Sequence, residues 1–383
     1  MNIKNRNIFR ISRFILLKIP YLFALLSRYR KPAKRILIIK IDAIGDYILF
    51  RNFIELIHIS EKFKNYEIDI VGNELWKDIA LKYDSQFVTR FFFINSDQLY
   101  NTPVMILKLG WTLFLRSYEK VLQPTYSRTL LANGLAGLAC AKDTIAFESD
   151  KELNSRYKSK TDKFYSKRIL LPNSIDHEFE RNRYFFEKVT ASDLPISKPH
   201  FPVYKDVEKS ILIFPGSGLA KRNWEKEKFM AIIKNILQYT TYSITICGSK
   251  NDTAIADFLI RHVASHRLVN QVGKTSLADA IAEIANAQLV ITNETSAVHI
   301  ANACNTPSIC VQGGGHYNRF TPYPPNAELT PVCVSQTMPC FNCDWQCIMP
   351  QEEDRPFPCI SQISSDTVWK EVLKLIGYKL EIN

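Results

Sequence analysis

The first 40 residues of this 383-residue chain contain no aspartate or glutamate, although they hold 11 of its 49 lysines and arginines. The remaining 343 residues carry 38 basic and 38 acidic side chains, so the net charge of +11 belongs to the N-terminal segment alone. A nucleic-acid binder needs its basic surplus on the folded body, and its absence there argues against that class. The basic segment also lacks an apolar run that could cross a bilayer: residues 10–31 have an apolar core of about 13 residues, broken by Lys18 and Pro20, where a spanning helix needs roughly 20. A small-residue cleavage site is missing too, since the segment runs into Arg28, Arg30 and Lys31, which speaks against a secretory signal. Two readings are left for the arm 1–33: a basic amphipathic helix lying on anionic lipid, or a helix that is solvated or caps a core.

Other absences narrow the ligand. Gly216-x-Gly218 has no third glycine, because position 221 is lysine, so a nicotinamide cofactor is disfavoured. Gly273-Lys274-Thr275 resembles the end of a P-loop, but the required earlier glycine is Leu268, and no loop of that kind can wrap a triphosphate. The nine cysteines are an odd number and suggest a reducing compartment. Cys340, Cys343 and Cys347 have ligand-like spacing, with Cys359 or Cys333 available as a fourth thiolate for a structural zinc. Zinc motifs usually show two separated pairs and this chain has one close trio, so reduced thiols in a surface loop remain the alternative.

After residue 34, apolar runs of strand length alternate with amphipathic stretches, the pattern of parallel sheets flanked by helices. Strands are expected at 35–41, 66–71, 87–94, 120–123 and 144–147, and again at 211–214, 243–247, 268–272, 289–292 and 308–312. The fold class is α/β, with two doubly wound Rossmann-like domains at 34–200 and 201–383 and a Cys-rich segment at 333–359 in the second. The charged stretch 150–210, with Pro172, Pro195, Pro199 and Pro202, suits a connection better than a core. Ligands bind at the carboxyl ends of strands in such sheets, so a cleft between two facing domains is the expected site.

Two strand ends carry opposite chemistry. Residues 36–46 end in Asp42-Ala43-Ile44-Gly45-Asp46, a carboxylate at the start of a helix. Residues 289–299 end in Asn293-Glu294-Thr295-Ser296-Ala297-Val298-His299, where backbone N–H groups at a helix start favour a phosphate. The first suits a base, the second an anion. A third strand end, Pro215-Gly216-Ser217-Gly218, lets backbone approach a phosphate closely and is followed by the cations Lys221 and Arg222. Ser276 reads as a helix N-cap with Asp279 in the first turn.

On the blocks 36–46, 215–224, 273–277 and 293–299, with Gly313-Gly314-Gly315 and Arg319 beyond, the chain resembles the ADP-heptose:lipopolysaccharide heptosyltransferase family, inverting glycosyltransferases of the GT-B architecture. The resemblance implies that Asp46 is the general base on the acceptor hydroxyl, which attacks poorly unless its proton is taken. Asp42 and Arg51 then fall on the acceptor side. Donor binding falls to Ser217, Gly218, Lys221 and Arg222, to Lys250, Thr275 and Ser276 near the nucleoside, to Glu294 at the sugar hydroxyls, and to Thr295, Ser296, Ala297 and His299 beside the phosphates. Metal-dependent sugar transferases of the other common architecture carry an Asp-x-Asp, which this chain lacks throughout, so no metal is expected in catalysis.

The implied partners are a nucleotide-sugar donor, a lipid-linked saccharide acceptor and an anionic membrane surface, with no nucleic acid. The implied place is the cytoplasmic side of the bacterial inner membrane, as a peripheral protein. Cys340, Cys343, Cys347 and Cys359 echo thiol-rich tails of relatives, which favours a structural role. The family's usual Asn-Asp-Ser-Gly is here Asn293-Glu294-Thr295-Ser296, and its small Thr-Thr-Pro segment is Phe50-Arg51-Asn52. The first departure lengthens the sugar-facing acid and the second reshapes the acceptor side. Two rival functions are a GT-B nucleotide-sugar epimerase, which needs no acceptor, and a non-catalytic scaffold that retains the nucleotide site.

Overall fold

A computed structural model describes residues 5–148, 155–324 and 330–377. The chain divides into two compact units, Met1–Ile175 with Glu180–Pro195, and Asp176–Phe179 with Ile196–Asn383. The first holds a parallel sheet of β1 (Ala33–Lys40), β2 (Glu67–Asn73), β3 (Arg90–Ile94), β4 (Tyr118–Gln123), β5 (Asp143–Phe147) and β6 (Lys167–Ile169), in the order β3-β2-β1-β4-β5-β6. The second repeats this with β7 (Glu208–Phe214), β8 (Ser243–Ile246), β9 (Leu268–Asn270), β10 (Ala287–Asn293), β11 (Ser308–Gln312) and β12 (Val332–Ser335), in the order β12-β11-β10-β7-β8-β9.

Helices cover both faces of a parallel sheet, so its central strands read as continuous apolar runs rather than alternating ones. Ile36, Leu37, Ile38 and Ile39 on β1 and Leu289, Val290 and Ile291 on β10 are fully buried. Register is fixed by these contacts: Ile38 lies opposite Ile70 and Leu122, and Ile291 opposite Ile213 and Ile309. Strand order reverses next to β1 in one sheet and next to β7 in the other. The crevices of the two sheets therefore open at the carboxyl ends of β1 and β4 and of β7 and β10.

All ten expected strands are present, and two more complete the edges: β6, three residues long, and β12. The stretch 150–210 is more than a connection. The helix Glu178–Thr190 buries Asn182, Phe185, Phe186, Val189 and Thr190 at i, i+3, i+4, i+7 and i+8, with Phe186 stacked on Phe53 at 5.4 Å. Its six charged residues conceal that stripe when composition is averaged.

The N-terminal helix, Arg6–Leu26, is capped by the Asn5 side chain and packs on the helices Pro103–Leu115 and Leu130–Ala139. Its inner face buries Ser12, Ile15, Leu16, Leu17, Pro20 and Phe23. Gly134 permits this approach, since a Cβ there would sit 2.5 Å from Leu16. Beyond the helix, Arg30 donates to the carbonyls of Phe114 and Cys140 and lies over the Phe114 ring at 4.3 Å. The helix thus caps a core on one side and exposes its other side. Deleting residues 1–30 would strip cover from that core and is a poor test of membrane binding alone. Among the described residues, no helix is long and apolar enough to cross a membrane.

Candidate active site

At the carboxyl end of β1 the chain leaves a fully buried Lys40, whose Nζ lies 2.8 Å from Asp42 Oδ2. Thr125, just past the end of β4, donates its hydroxyl to the same oxygen at 2.5 Å. Two further bonds pin the loop backbone: Asn73 Nδ2 donates to the Ile41 carbonyl and Trp76 Nε1 to that of Asp42, both at 3.2 Å. Asp46 follows in the first turn of the short helix Ile44–Ile48, where a negative charge suits the exposed N–H groups. Its side chain is half-buried, while the next residue, Tyr47, is fully buried and stacks on Trp76 with centroids 3.9 Å apart. Gly72 makes room for that indole, since a Cβ there would fall 2.0 Å from it. Asp46 is thereby carried on a loop fixed from below and from the side.

Arg51 lies one turn beyond Tyr47. Its guanidinium is buried and bonded to Asp84 at 2.7 Å, and Tyr47 donates to the same carboxylate at 2.6 Å. Burial lifts the Asp84 carboxyl above its usual range even against the pull of Arg51. Arg51 therefore braces, through Asp84 and Tyr47, the segment that follows Asp46. A buried guanidinium needs its carboxylate, and Asp84, remote in sequence, supplied no signal beforehand.

In the second unit, the expected donor residues gather around the ends of β7 and β10. Asn293 ties the two strands together: its Nδ2 donates to the Pro215 carbonyl at 2.7 Å and its Oδ1 accepts from Trp224 N at 3.0 Å. Gly216 packs against Asp252, leaving no space for a Cβ, and Asp252 in turn accepts from the backbone and hydroxyl of Ser249. Gly218 is exposed with open space where a side chain would stand, and Ser217 donates to the Leu219 carbonyl. Lys221 is half-buried and reaches Gln351, whereas Arg222 turns inward, donates to the Glu294 carbonyl at 3.0 Å and stacks on Trp345 at 4.4 Å.

Glu294 is the unusual group. It is 7% exposed, and neither carboxylate oxygen has a well-formed hydrogen bond. Its nearest cation, on Arg222, lies 3.6 Å away. Burial pushes its pKa up to about 7 against the opposing effects of Arg222 and the nearby Thr321 hydroxyl. A buried carboxylate without partners is costly, and such groups concentrate where a ligand completes the bonding.

Thr295 caps the helix Ser296–Ala303 by accepting from Ala297 N, and its hydroxyl contacts that of Thr292 at 3.1 Å. The helix start therefore faces the same corner as Glu294, with Ser296 and Ala297 in its first turn. His299 is buried one turn on, its Nδ1 2.9 Å from the Tyr323 hydroxyl. Burial, then the nearby His177, lowers its pKa to about 3, so the ring is neutral in the protein alone. Lys250, Thr275 and Ser276 form a separate neighbouring group. Gly273, at φ +70, backs onto the Lys250 stem and bonds to the Gly248 carbonyl, while Ser276 caps the helix Leu277–Asn286 with Asp279 as its reciprocal partner.

The cysteines divide. Cys333 lies opposite Cys310 in the β11–β12 pairing and serves that contact. Cys359 instead lies near Cys340, Cys343 and Cys347, and burial together with those neighbours raises its thiol pKa. Among the described residues, no three His, Cys, Asp or Glu side chains are gathered closely enough to hold a metal ion. Thr125 and Asp252, which help position the two corners, carried no motif of their own, whereas Lys40 and Asn293 lay inside the blocks 36–46 and 293–299 with no role assigned to them. A lysine ending an otherwise apolar buried strand is a sequence signal that could have drawn attention to Lys40.

Residues 151–349 match the family model described as glycosyltransferase family 9 (heptosyltransferase). Lipooligosaccharide heptosyltransferase 2 of Haemophilus influenzae is 31% identical over 173 residues, covering 38% of this chain and 49% of that protein. The chain thus spans about half the length of this curated relative. Two solved structures share the fold. The Escherichia coli ADP-heptose lipopolysaccharide heptosyltransferase II has a TM-score of 0.68 at 15% identity, over 90% of this chain and 98% of that one. A family 9 glycosyltransferase from Veillonella parvula has a TM-score of 0.69 at 16% identity, over 91% and 98%. With more than half of its length matched by the family model, the chain belongs to glycosyltransferase family 9, the heptosyltransferase family.

Proposed function

We propose that the protein transfers a sugar, heptose, from ADP-heptose to a lipid-linked saccharide of lipopolysaccharide or another surface glycan, with inversion at the anomeric carbon. The observation that supports this most is Glu294: a buried carboxylate lacking well-formed hydrogen bonds, beside Arg222 and a capped helix start. Sugar hydroxyls would satisfy its oxygens, and the pyrophosphate would take the N–H groups of Ser296 and Ala297 with Gly218, Lys221 and Arg222. Lys250, Thr275 and Ser276 would take the nucleoside.

In the reaction the acceptor oxygen bonds to the anomeric carbon as the bond from that carbon to the phosphate oxygen breaks. The acceptor proton passes to Asp46, and the bonding pair leaves with ADP. Fixed cations and N–H groups stabilise the leaving charge, so these residues do the work that an Asp-x-Asp-bound metal does elsewhere. The exposed side of the N-terminal helix would hold the protein peripherally at the cytoplasmic face of the inner membrane, close to its acceptor.

Calorimetry with ADP-heptose, ADP, UDP and UDP-N-acetylglucosamine on protein without added metal tests the donor. ADP-heptose should bind at least about tenfold more tightly than either uridine ligand, a preference worth roughly 1.4 kcal/mol. Preference for uridine ligands would overturn the donor, and binding without turnover on any acceptor extract would favour a scaffold.

The second part of the reading is structural metal on Cys340, Cys343, Cys347 and Cys359. Four thiolates are a tetrahedral zinc donor set, and Cys359 lies near the other three. Left-handed backbone at Asn342, Asp344 and Trp345, φ +64, +51 and +59, bends the chain sharply between the thiols, as a metal knuckle requires. Elemental analysis of protein purified without chelator should find about one zinc per chain, with Cys343→Ser losing it and unfolding at lower temperature. Four freely titrating thiols and no bound metal would remove this part.

A further inference from the structure

Exposed apolar side chains are unevenly distributed. Of the 22 large ones left exposed among the described residues, 12 lie between Ile11 and Tyr29 or on the helix Pro103–Leu115, less than a tenth of the chain. On the N-terminal helix, Ile11, Phe14, Leu22 and Leu25 form an outward stripe, each about half exposed, opposite the face that enters the core. On the second helix, Val104, Leu107, Trp111 and Leu115 form another at i, i+3, i+7 and i+11, between 39% and 60% exposed. The two helices pack on one another through Phe23, on the inner face of the first, which meets Trp111 edge-on at 5.7 Å and Phe114 at 4.7 Å.

We infer that these two helices form one docking surface for an anionic lipid bilayer, with Trp111 at its centre. The inference rests on the membrane reading of the N-terminal helix and extends it to a helix in mid-sequence that carries no basic arm. Charge chooses the occupant. Exposed Arg10, Lys18 and Arg28 accompany the first stripe and Lys108 sits in the second, with no acid on either helix. A second copy of the chain would set these cations against their own kind, whereas anionic headgroups complement them as the apolar side chains enter the acyl boundary. A half-exposed tryptophan at the join suits the headgroup level, where its ring is favoured.

Trp111 also reports on the surface. It is 48% exposed, whereas Trp76, Trp224 and Trp369 are buried and Trp345 is half-buried under Arg222. Purified full-length protein should sediment with phosphatidylglycerol/phosphatidylcholine vesicles and not with phosphatidylcholine alone. Its tryptophan emission should shift to the blue and be quenched by brominated acyl chains, a response that Trp111→Phe removes while binding is kept. Leu25→Glu and Leu107→Glu, one on each helix and both at exposed positions, should each weaken sedimentation by about tenfold or more without lowering the thermal midpoint. If Leu25→Glu weakens binding but Leu107→Glu does not, and no emission shift appears, the two-helix surface is wrong and the N-terminal helix acts alone. If the intact chain ignores anionic vesicles, the membrane reading itself fails, and a dimer in solution that Leu107→Glu dissociates would show the occupant to be a second copy.

Discussion

Asp46→Asn is expected to reduce sugar transfer by about 10²- to 10⁴-fold, the usual contribution of a positioned general base, while ADP-heptose affinity stays within about twofold. The split between turnover and binding follows from placement. Asp46 sits at the end of β1 in the first unit, whereas the residues proposed to bind the donor all lie in the second, most of them past the ends of β7 and β10. The amide keeps the shape and the helix-start position but cannot take a proton. Asp42, four residues earlier, is the rival carboxylate, and its geometry suits it less: Lys40 and Thr125 both hold Oδ2. Asp42→Asn is therefore expected to loosen the loop and lower turnover less than Asp46→Asn does. Single-turnover assays on both variants, with donor calorimetry alongside, separate the roles. Near-normal turnover by Asp46→Asn would remove it as the base.

The long central strands were legible because burial on both faces writes itself as an unbroken apolar run, as in Ile36–Ile39 and Leu289–Ile291. β6 and β12 were not, since three or four residues at a sheet edge need little apolar character and leave no period to read. The helix Glu178–Thr190 was hidden for a different reason: its apolar stripe is narrow and its charges dominate any average over 150–210. At the site, residues next to a strand end or helix start could be placed from local pattern, which is how Asp46, Glu294 and Thr295 stood out. What local pattern could not reveal was partnership across the fold. Asp84 beside Arg51 and Tyr47, and Tyr323 beside His299, are partners from remote parts of the sequence that only the fold brings together. The same limit left open whether the N-terminal helix caps a core, because the glycine that receives Leu16 lies at position 134.

Glu294→Gln should make the protein more stable and a worse enzyme at once. Folded, Glu294 holds its proton up to about pH 7, against an ordinary glutamate value of 4.5. The folded state therefore binds more protons than the unfolded state between those limits, so stability falls as pH rises from about 4.5 to 7 and the whole cost persists above. At roughly 1.4 kcal/mol per unit, the cost approaches about 3 kcal/mol, with the pull of Arg222 already included. A glutamine of the same shape carries no such charge, and Arg222, a quarter exposed at its side chain, can turn to water. Denaturant unfolding at pH 8 should then show the variant ahead by up to about 3 kcal/mol, with the advantage vanishing below about pH 4.5. Donor binding should move the other way. An ionised carboxylate accepts from sugar hydroxyls more strongly than an amide, by about 1.5 to 3 kcal/mol, so affinity for ADP-heptose should drop roughly tenfold to hundredfold while affinity for ADP hardly changes. In the native protein ADP-heptose should bind more tightly as pH rises through about 7, and the variant should lose that dependence. A variant no more stable at pH 8, binding ADP-heptose as the native chain does, would mean that Glu294 is a buried structural acid and that the sugar is held elsewhere.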